Sequence, residues 1–167
     1  LEEKFELGVP DQRPRLTADI VFVEFGQMES LEGIDRITDF NQTYDLVLAA
    51  LKRRTRQIVL LSPLPFYQSG PAANLAERRN QVLADYVESA RALAHKHNCL
   101  FVDQFTEFAA LSRKEAERSS FNGIRLTDYG HWQSANRIMK QLGIALPPAS
   151  EFDEAKQRFA DQQTETI

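Results

Sequence analysis

The residues with the most chemistry in them fall in one stretch, Asn122-Gly-Ile-Arg-Leu-Thr-Asp-Tyr-Gly-His-Trp132. Asp128 and His131 are spaced i, i+3 there, and a carboxylate so placed can orient an imidazole that acts as a base toward a serine. The same residues have a second reading. Thr127-Asp128 has the composition of a helix N-terminus, with Thr127 capping, Asp128 favoured by the dipole, and His131 and Trp132 on the first turn. A second candidate is Phe25-Gly26-Gln27-Met28-Glu29-Ser30. A glycine directly after a strand lets the backbone turn tightly and present N–H groups to an oxyanion, which makes Gly26 and Gln27 oxyanion-loop candidates. An ordinary strand-to-loop glycine reads the same way.

A nucleophile would have to come from the loop serines Ser30, Ser62 and Ser69, none of which sits in a G-x-S-x-G elbow. Each also reads as a turn or cap residue. His95 and His97 close a long helical stretch on different faces, so they do not form a metal pair. Asp103 and Glu107 follow a strand and could flank a site, whereas Glu115 and Glu117 belong to a solvated helix face. Twenty basic against 24 acidic side chains, a net charge of −4, argue against nucleic acid as the main partner, because phosphate binding needs a basic face. The single cysteine, Cys99, excludes an internal disulfide framework and a cysteine zinc site; no metal and no cofactor is implied. No apolar run approaches the ~20 residues that span a bilayer.

The elements that must position these residues alternate. Asp19–Phe25, Gln57–Ser62 and Cys99–Asp103 are apolar, β-branched runs with the pattern of strands buried on both faces. Between and after them, helical spacing predicts helices over Asp35–Thr55, Ala72–Asn98, Phe105–Ser119 and Asp128–Leu142. Strand, helix, strand, helix, strand, helix is the signature of a parallel α/β sheet covered on both faces, whose chemistry gathers at the carboxyl ends of the strands. Residues 1–17 read as a short helical turn and connector, 18–146 as the α/β domain, and 147–167, which opens at Pro147-Pro148, as a polar tail.

Three blocks resemble the SGNH (GDSL-type) hydrolases. Ala18 to Ser30 is similar to the block in which a strand ends in Gly-x-Asn, Gln57 to Pro63 to the next strand, and Asn122-Gly-Ile-Arg-Leu-Thr to the last block, Asp-Gly-Ile-His-Leu-Thr. The resemblance implies a three-layer α/β/α, flavodoxin-like fold, here N-terminally incomplete, since the blocks that carry the nucleophilic serine would lie ahead of residue 18. It also implies serine-dependent hydrolysis of an ester, the substrate being a small molecule or an acylated glycan or lipid.

Carried over residue by residue, the family positions are substituted. Met28 stands at the oxyanion asparagine and has no N–H to donate from its side chain. In the register that aligns most residues, Asn122 stands at the catalytic aspartate and Arg125 at the histidine. Matching Asp-x-x-His alone picks Asp128 and His131 instead. Arg125 stays protonated at any working pH and cannot take a serine proton. It grips an anion, is neutralised by Glu29 or Asp103, or simply stands in solvent. Two readings follow: an ester hydrolase domain that is catalytically impaired, or a non-catalytic derivative that binds a ligand or partner in the old cleft. An apolar first strand without its neighbour is expected to leave an exposed edge.

Overall fold

A computed structural model describes residues 18–145 of the 167-residue chain; the expected connector 1–17 and polar tail 147–167 lie outside them. Three strands, β1 (Ala18–Glu24), β2 (Thr55–Leu61) and β3 (Leu100–Val102), form one parallel sheet in the order β1-β2-β3. Val21 stands beside Ile58, and Val59 beside Leu100. The parallel α/β expectation is met, and each strand lies within a residue or two of its predicted span.

Because side chains alternate across a strand, β2 feeds two cores. Ile58 and Leu60 join Val23 against α1 (Ile37–Leu51) and α2 (Ala76–Lys96), where Phe40, Tyr44, Leu48, Leu83 and Tyr86 are buried. Val59 and Leu61 face the other way and, with Val102, meet Ile138 and Leu142 at α5 (Asp128–Gln141). Helices therefore cover both faces of the sheet. None of the described helices is long and apolar enough to cross a membrane.

Three expectations are corrected. The sequence pattern gave β1 two buried faces; it is the edge strand expected, but one face is open, with Ile20 55% and Phe22 51% exposed. The reason lies in the packing: on that side α5 rests on β2 and β3 and does not reach β1. The stretch Phe105–Ser119 is not one helix but two, α3 (Phe105–Ala109) and α4 (Arg113–Ser119). Ser112 breaks it with a capping box: its hydroxyl accepts the Glu115 N–H at 3.4 Å, while the Glu115 carboxylate accepts the Ser112 N–H at 3.1 Å. The predicted first and second helices are also shortened, because tight 3-10 turns at Ile34–Arg36 and Ala73–Leu75 precede them.

Candidate functional site

The carboxyl ends of the strands and the loop before α5 converge, and backbone contacts hold them together. The Tyr67 N–H donates to the Gly123 carbonyl at 2.9 Å, and the Ser69 hydroxyl donates to the Ser120 carbonyl. Gly70 lies so near that a Cβ there would stand 2.8 Å from Asn122 Cα. Gly123, at φ +86°, would place a Cβ 2.9 Å from the Ser69 carbonyl oxygen. Both glycines are thus required by close backbone approach.

Within the 122–126 loop, the Asn122 carbonyl oxygen (Oδ1) accepts the N–H groups of Ile124 at 3.0 Å and Arg125 at 2.7 Å, a side-chain turn that fixes the backbone beneath Arg125. The Arg125 backbone is pinned in turn, its carbonyl accepting the Phe121 N–H and the Ser120 hydroxyl. The Arg125 side chain is exposed and makes no ion pair with a described residue. Its two expected neutralising partners are engaged elsewhere. Asp103 bonds Arg91 at 2.8 Å, and Glu29 accepts the Gly26 N–H at 2.9 Å.

Asp128 and His131 both sit on the first turn of α5 and are exposed. Thr127 is the N-cap of that helix, its hydroxyl accepting the Gly130 N–H at 3.1 Å and donating to the Arg118 carbonyl at 2.6 Å. Gly130 packs hard on Ser119, whose carbonyl oxygen would be 2.1 Å from an added Cβ. The helix-start reading thus accounts for Thr127 and Gly130.

At the end of β1, Gly26 adopts φ +123° and packs against Pro63, Phe40 and Tyr86. Gln27 does not point to open space: its side-chain amide donates to the carbonyls of Leu64 at 2.9 Å and Pro65 at 3.4 Å, tying this loop to the one after β2. Met28 is 56% exposed. The Glu24 carboxyl, at the strand end, is pushed up from its ordinary value by desolvation, an effect partly offset by the Leu64 N–H.

The candidate serines are all buried and bonded. Ser62 Oγ accepts the N–H groups of Gln104 and Phe105, each at 2.8 Å, and so caps α3. Ser30 donates to the Gln27 carbonyl at 2.8 Å. His95 is exposed on the last turn of α2, while His97 bonds Asp45 at 2.7 Å, far from the strand ends in role. Lys96 and His97 together hold the Asp45 carboxyl below its ordinary value. Glu107 pairs with Arg137 at 2.7 Å, Glu117 with Arg113 at 2.9 Å, and Glu115 serves the cap of α4.

Several structural residues of the site carry no sequence signal. The Asn80 side chain accepts the Phe66 N–H and donates to its carbonyl, at 2.8 and 2.9 Å, from 14 residues away. Gln104 is buried and accepts the Ser134 hydroxyl. Tyr67 and Arg137 close on Phe108, the guanidinium 3.8 Å from the ring centroid. Beside the 26–30 loop lies an open pocket of about 240 Å³, lined by Phe25, Phe40, Tyr44, Val47 and Tyr86 and rimmed by Glu29, Glu32, Arg36 and Asp39.

The sequence model of the GDSL-like Lipase/Acylhydrolase family matches residues 1–133. The chain belongs to that family. Its fold is shared with a catalytic mutant of an acetylxylan esterase from Geobacillus stearothermophilus, at 18% identity and a TM-score of 0.60, over 76% of this chain and 60% of that one. A second acetyl xylan esterase matches at 18% identity and TM-score 0.59, over 73% of this chain and 66% of that one. An α/β hydrolase from the metagenome of Lake Arreo, Spain, matches at 19% identity and TM-score 0.58, over 78% and 62%. No curated protein matches the chain. At these identities the likeness establishes the fold, and the GDSL-like domain spans about three fifths of the length of the Geobacillus esterase.

Proposed function

We propose that this GDSL-like domain recognises an acyl ester, or the carboxylate it yields, through Arg125, with little or no turnover of its own. The observation that carries the reading is the Arg125 side chain, exposed and with no ion pair to a described residue, on a backbone bonded by Asn122; by the motif register that aligns most residues it stands where the family keeps its histidine. A permanently charged guanidinium cannot accept a proton from a hydroxyl, but it grips a carboxylate through two parallel N–H bonds. Loss of the base alone lowers acyl transfer by several orders of magnitude. The bonding of Ser30, Ser62 and Ser69 supports the same reading.

A second reading keeps the family chemistry, serine-dependent ester hydrolysis, with Asp128 orienting His131 as the base. It is favoured by their common place on the first turn of α5 and their exposure, and it needs a nucleophile from outside residues 18–145.

Two measurements separate them. Acetate titrated into the isotopically labelled chain is expected to shift the amides of residues 122–126, and the shifts are expected to vanish in Arg125→Gln. Hydrolysis of p-nitrophenyl acetate is expected at the buffer rate, unchanged in His131→Ala. A rate above buffer that collapses in His131→Ala overturns the binding reading and installs the second.

A further inference from the structure

Four aromatic rings run in contact from the end of β1 to α2. Phe25 meets Tyr44 edge-on at 5.3 Å between centroids, Tyr44 meets Phe40 at 5.4 Å, and Phe40 meets Tyr86 at 4.9 Å. With Val47 they line the open pocket of about 240 Å³ beside the 26–30 loop. Of the lining residues only Phe25, one residue past the end of β1, adjoins that strand; the others come from α1, α2 and the turns between Glu29 and Arg36. Those turns are tied down twice. The Tyr86 hydroxyl donates to the Gly33 carbonyl at 2.8 Å, and the Glu29 carboxylate accepts the Gly26 N–H at 2.9 Å. No residue of the 122–131 stretch lines the pocket.

The rim is charged unevenly. It carries the carboxylates of Glu29, Glu32 and Asp39 against the one guanidinium of Arg36. Arg36 is already committed, at 2.8 Å to Asp39 and 3.5 Å to Glu32. Glu29 makes no ion pair with a described residue. Ring faces carry negative charge density, and carboxylates at the mouth add to it, so the pocket favours a cation with an apolar body. The volume limits that body: an apolar cavity of ~150 Å³ takes benzene, whereas drug-sized ligands occupy ~300–1,000 Å³. A single ring or a short branched chain fits between those bounds.

We propose that this pocket binds a small organic ammonium ion, its apolar group against Phe25, Phe40 and Tyr44 and its charged nitrogen beside Glu29. The ligand is an ammonium rather than a neutral apolar molecule because carboxylates outnumber the cation at the mouth, and Glu29 stands there without a cationic partner among the described residues. The site does not rest on the reading of Arg125. Because Glu29 also holds the Gly26 N–H, occupancy reaches the 26–30 loop.

The test is titration of the full 167-residue chain, isotopically labelled, with phenethylammonium and with its neutral counterpart 2-phenylethanol at matched ionic strength. Phenethylammonium is expected to move the amides of residues 25–47 with a Kd of ~1–10 mM, ordinary for so small a ligand. The alcohol is expected to act on the same amides at least about fivefold more weakly. Glu29→Gln keeps an oxygen for the Gly26 N–H and removes the charge. It is expected to bring the ammonium to the alcohol's affinity and to leave the alcohol's unchanged. Thr43→Trp, at an exposed rim position of α1, fills the pocket and is expected to abolish both responses while keeping the wild-type circular dichroism. Absence of any shift at ~50 mM ammonium overturns the proposal. So do equal affinities of the wild type for the two ligands, an ammonium affinity that Glu29→Gln leaves unchanged, or shifts that persist in Thr43→Trp.

Discussion

The Tyr67 amide and the Gly123 carbonyl meet at 2.9 Å, and this bond joins the loop after β2 to the loop that carries the family motif. Their closeness is what forbids a side chain at Gly123, where φ is +86° and a Cβ would crowd the carbonyl of Ser69. Gly123→Ala combines left-handed backbone strain with overlap against backbone that cannot step aside. A loss of about 2–4 kcal/mol in urea denaturation is expected, with the fold retained.

Ser62 is the serine most easily mistaken for a nucleophile, since it ends a strand. Its hydroxyl oxygen satisfies two backbone donors in a fully buried place. Ser62→Ala leaves both N–H groups without that acceptor and is expected to cost about 2–4 kcal/mol of stability, each orphaned donor being worth about 1–3. Acetate binding measured on the variant under native conditions should stay within a factor of two or so of wild type, a change that RT ln K converts to under ~0.5 kcal/mol.

Asn122 holds the loop by accepting from two N–H groups. Asn122→Asp keeps both acceptors and should leave thermal stability nearly unchanged. Asn122→Ala removes them and should lower it by about 1–2 kcal/mol. Acetate affinity should follow the same division, falling in Asn122→Ala because the backbone beneath Arg125 loosens. Equal behaviour of the two variants, checked by calorimetry, would remove the turn from the account of Arg125.

Asp103 supplies a pH dependence. Partial burial pushes its carboxyl up, but the Thr106 N–H at 3.0 Å, the Arg91 guanidinium at 2.8 Å and the Thr106 hydroxyl at 2.8 Å outweigh it, and the net shift is below the ordinary value. A carboxylate whose pKa is depressed on folding adds stability that is present above the unfolded pKa of ~3.9 and is lost as pH falls through the folded value. Asp103→Asn is therefore expected to be destabilised by about 1–3 kcal/mol at neutral pH, with the gap to wild type closing as acid protonates the folded carboxyl and both forms become uncharged. Denaturation curves taken across that range measure it.

Much of this fold was legible in the residues. Ile58-Val-Leu-Leu61 reads as a strand buried on both sides, and it is one. The stripe from Leu83 to Leu93 reads as a core-facing helix, and it is. What was not legible depends on what lies across from each element. β1 has the same apolar pattern as β2, yet its environment is set by how far α5 reaches, which no local pattern encodes. The break at Ser112 had a signal, Ser-x-x-Glu, but a helical run of favourable residues on either side outweighed it. At the candidate site, the match to Gly-Ile-x-Leu-Thr marked Asn122 and Arg125 in sequence, and the spacing Asp-x-x-His marked Asp128 and His131. The Asn122 turn, the Asn80 clamp and the engagement of Glu29 and Asp103 come from hydrogen bonds whose partners only folding brings together.

The Asn80 clamp on Phe66 has a consequence for how the cleft moves. A single amide side chain serves both main-chain groups of that residue, as a neighbouring strand would, inside a stretch that belongs to no strand. Deuterium should therefore enter the Phe66 amide slowly, at a rate set by opening of α2 rather than by local fraying, so the floor beneath the motif loop breathes with the helix instead of independently of it.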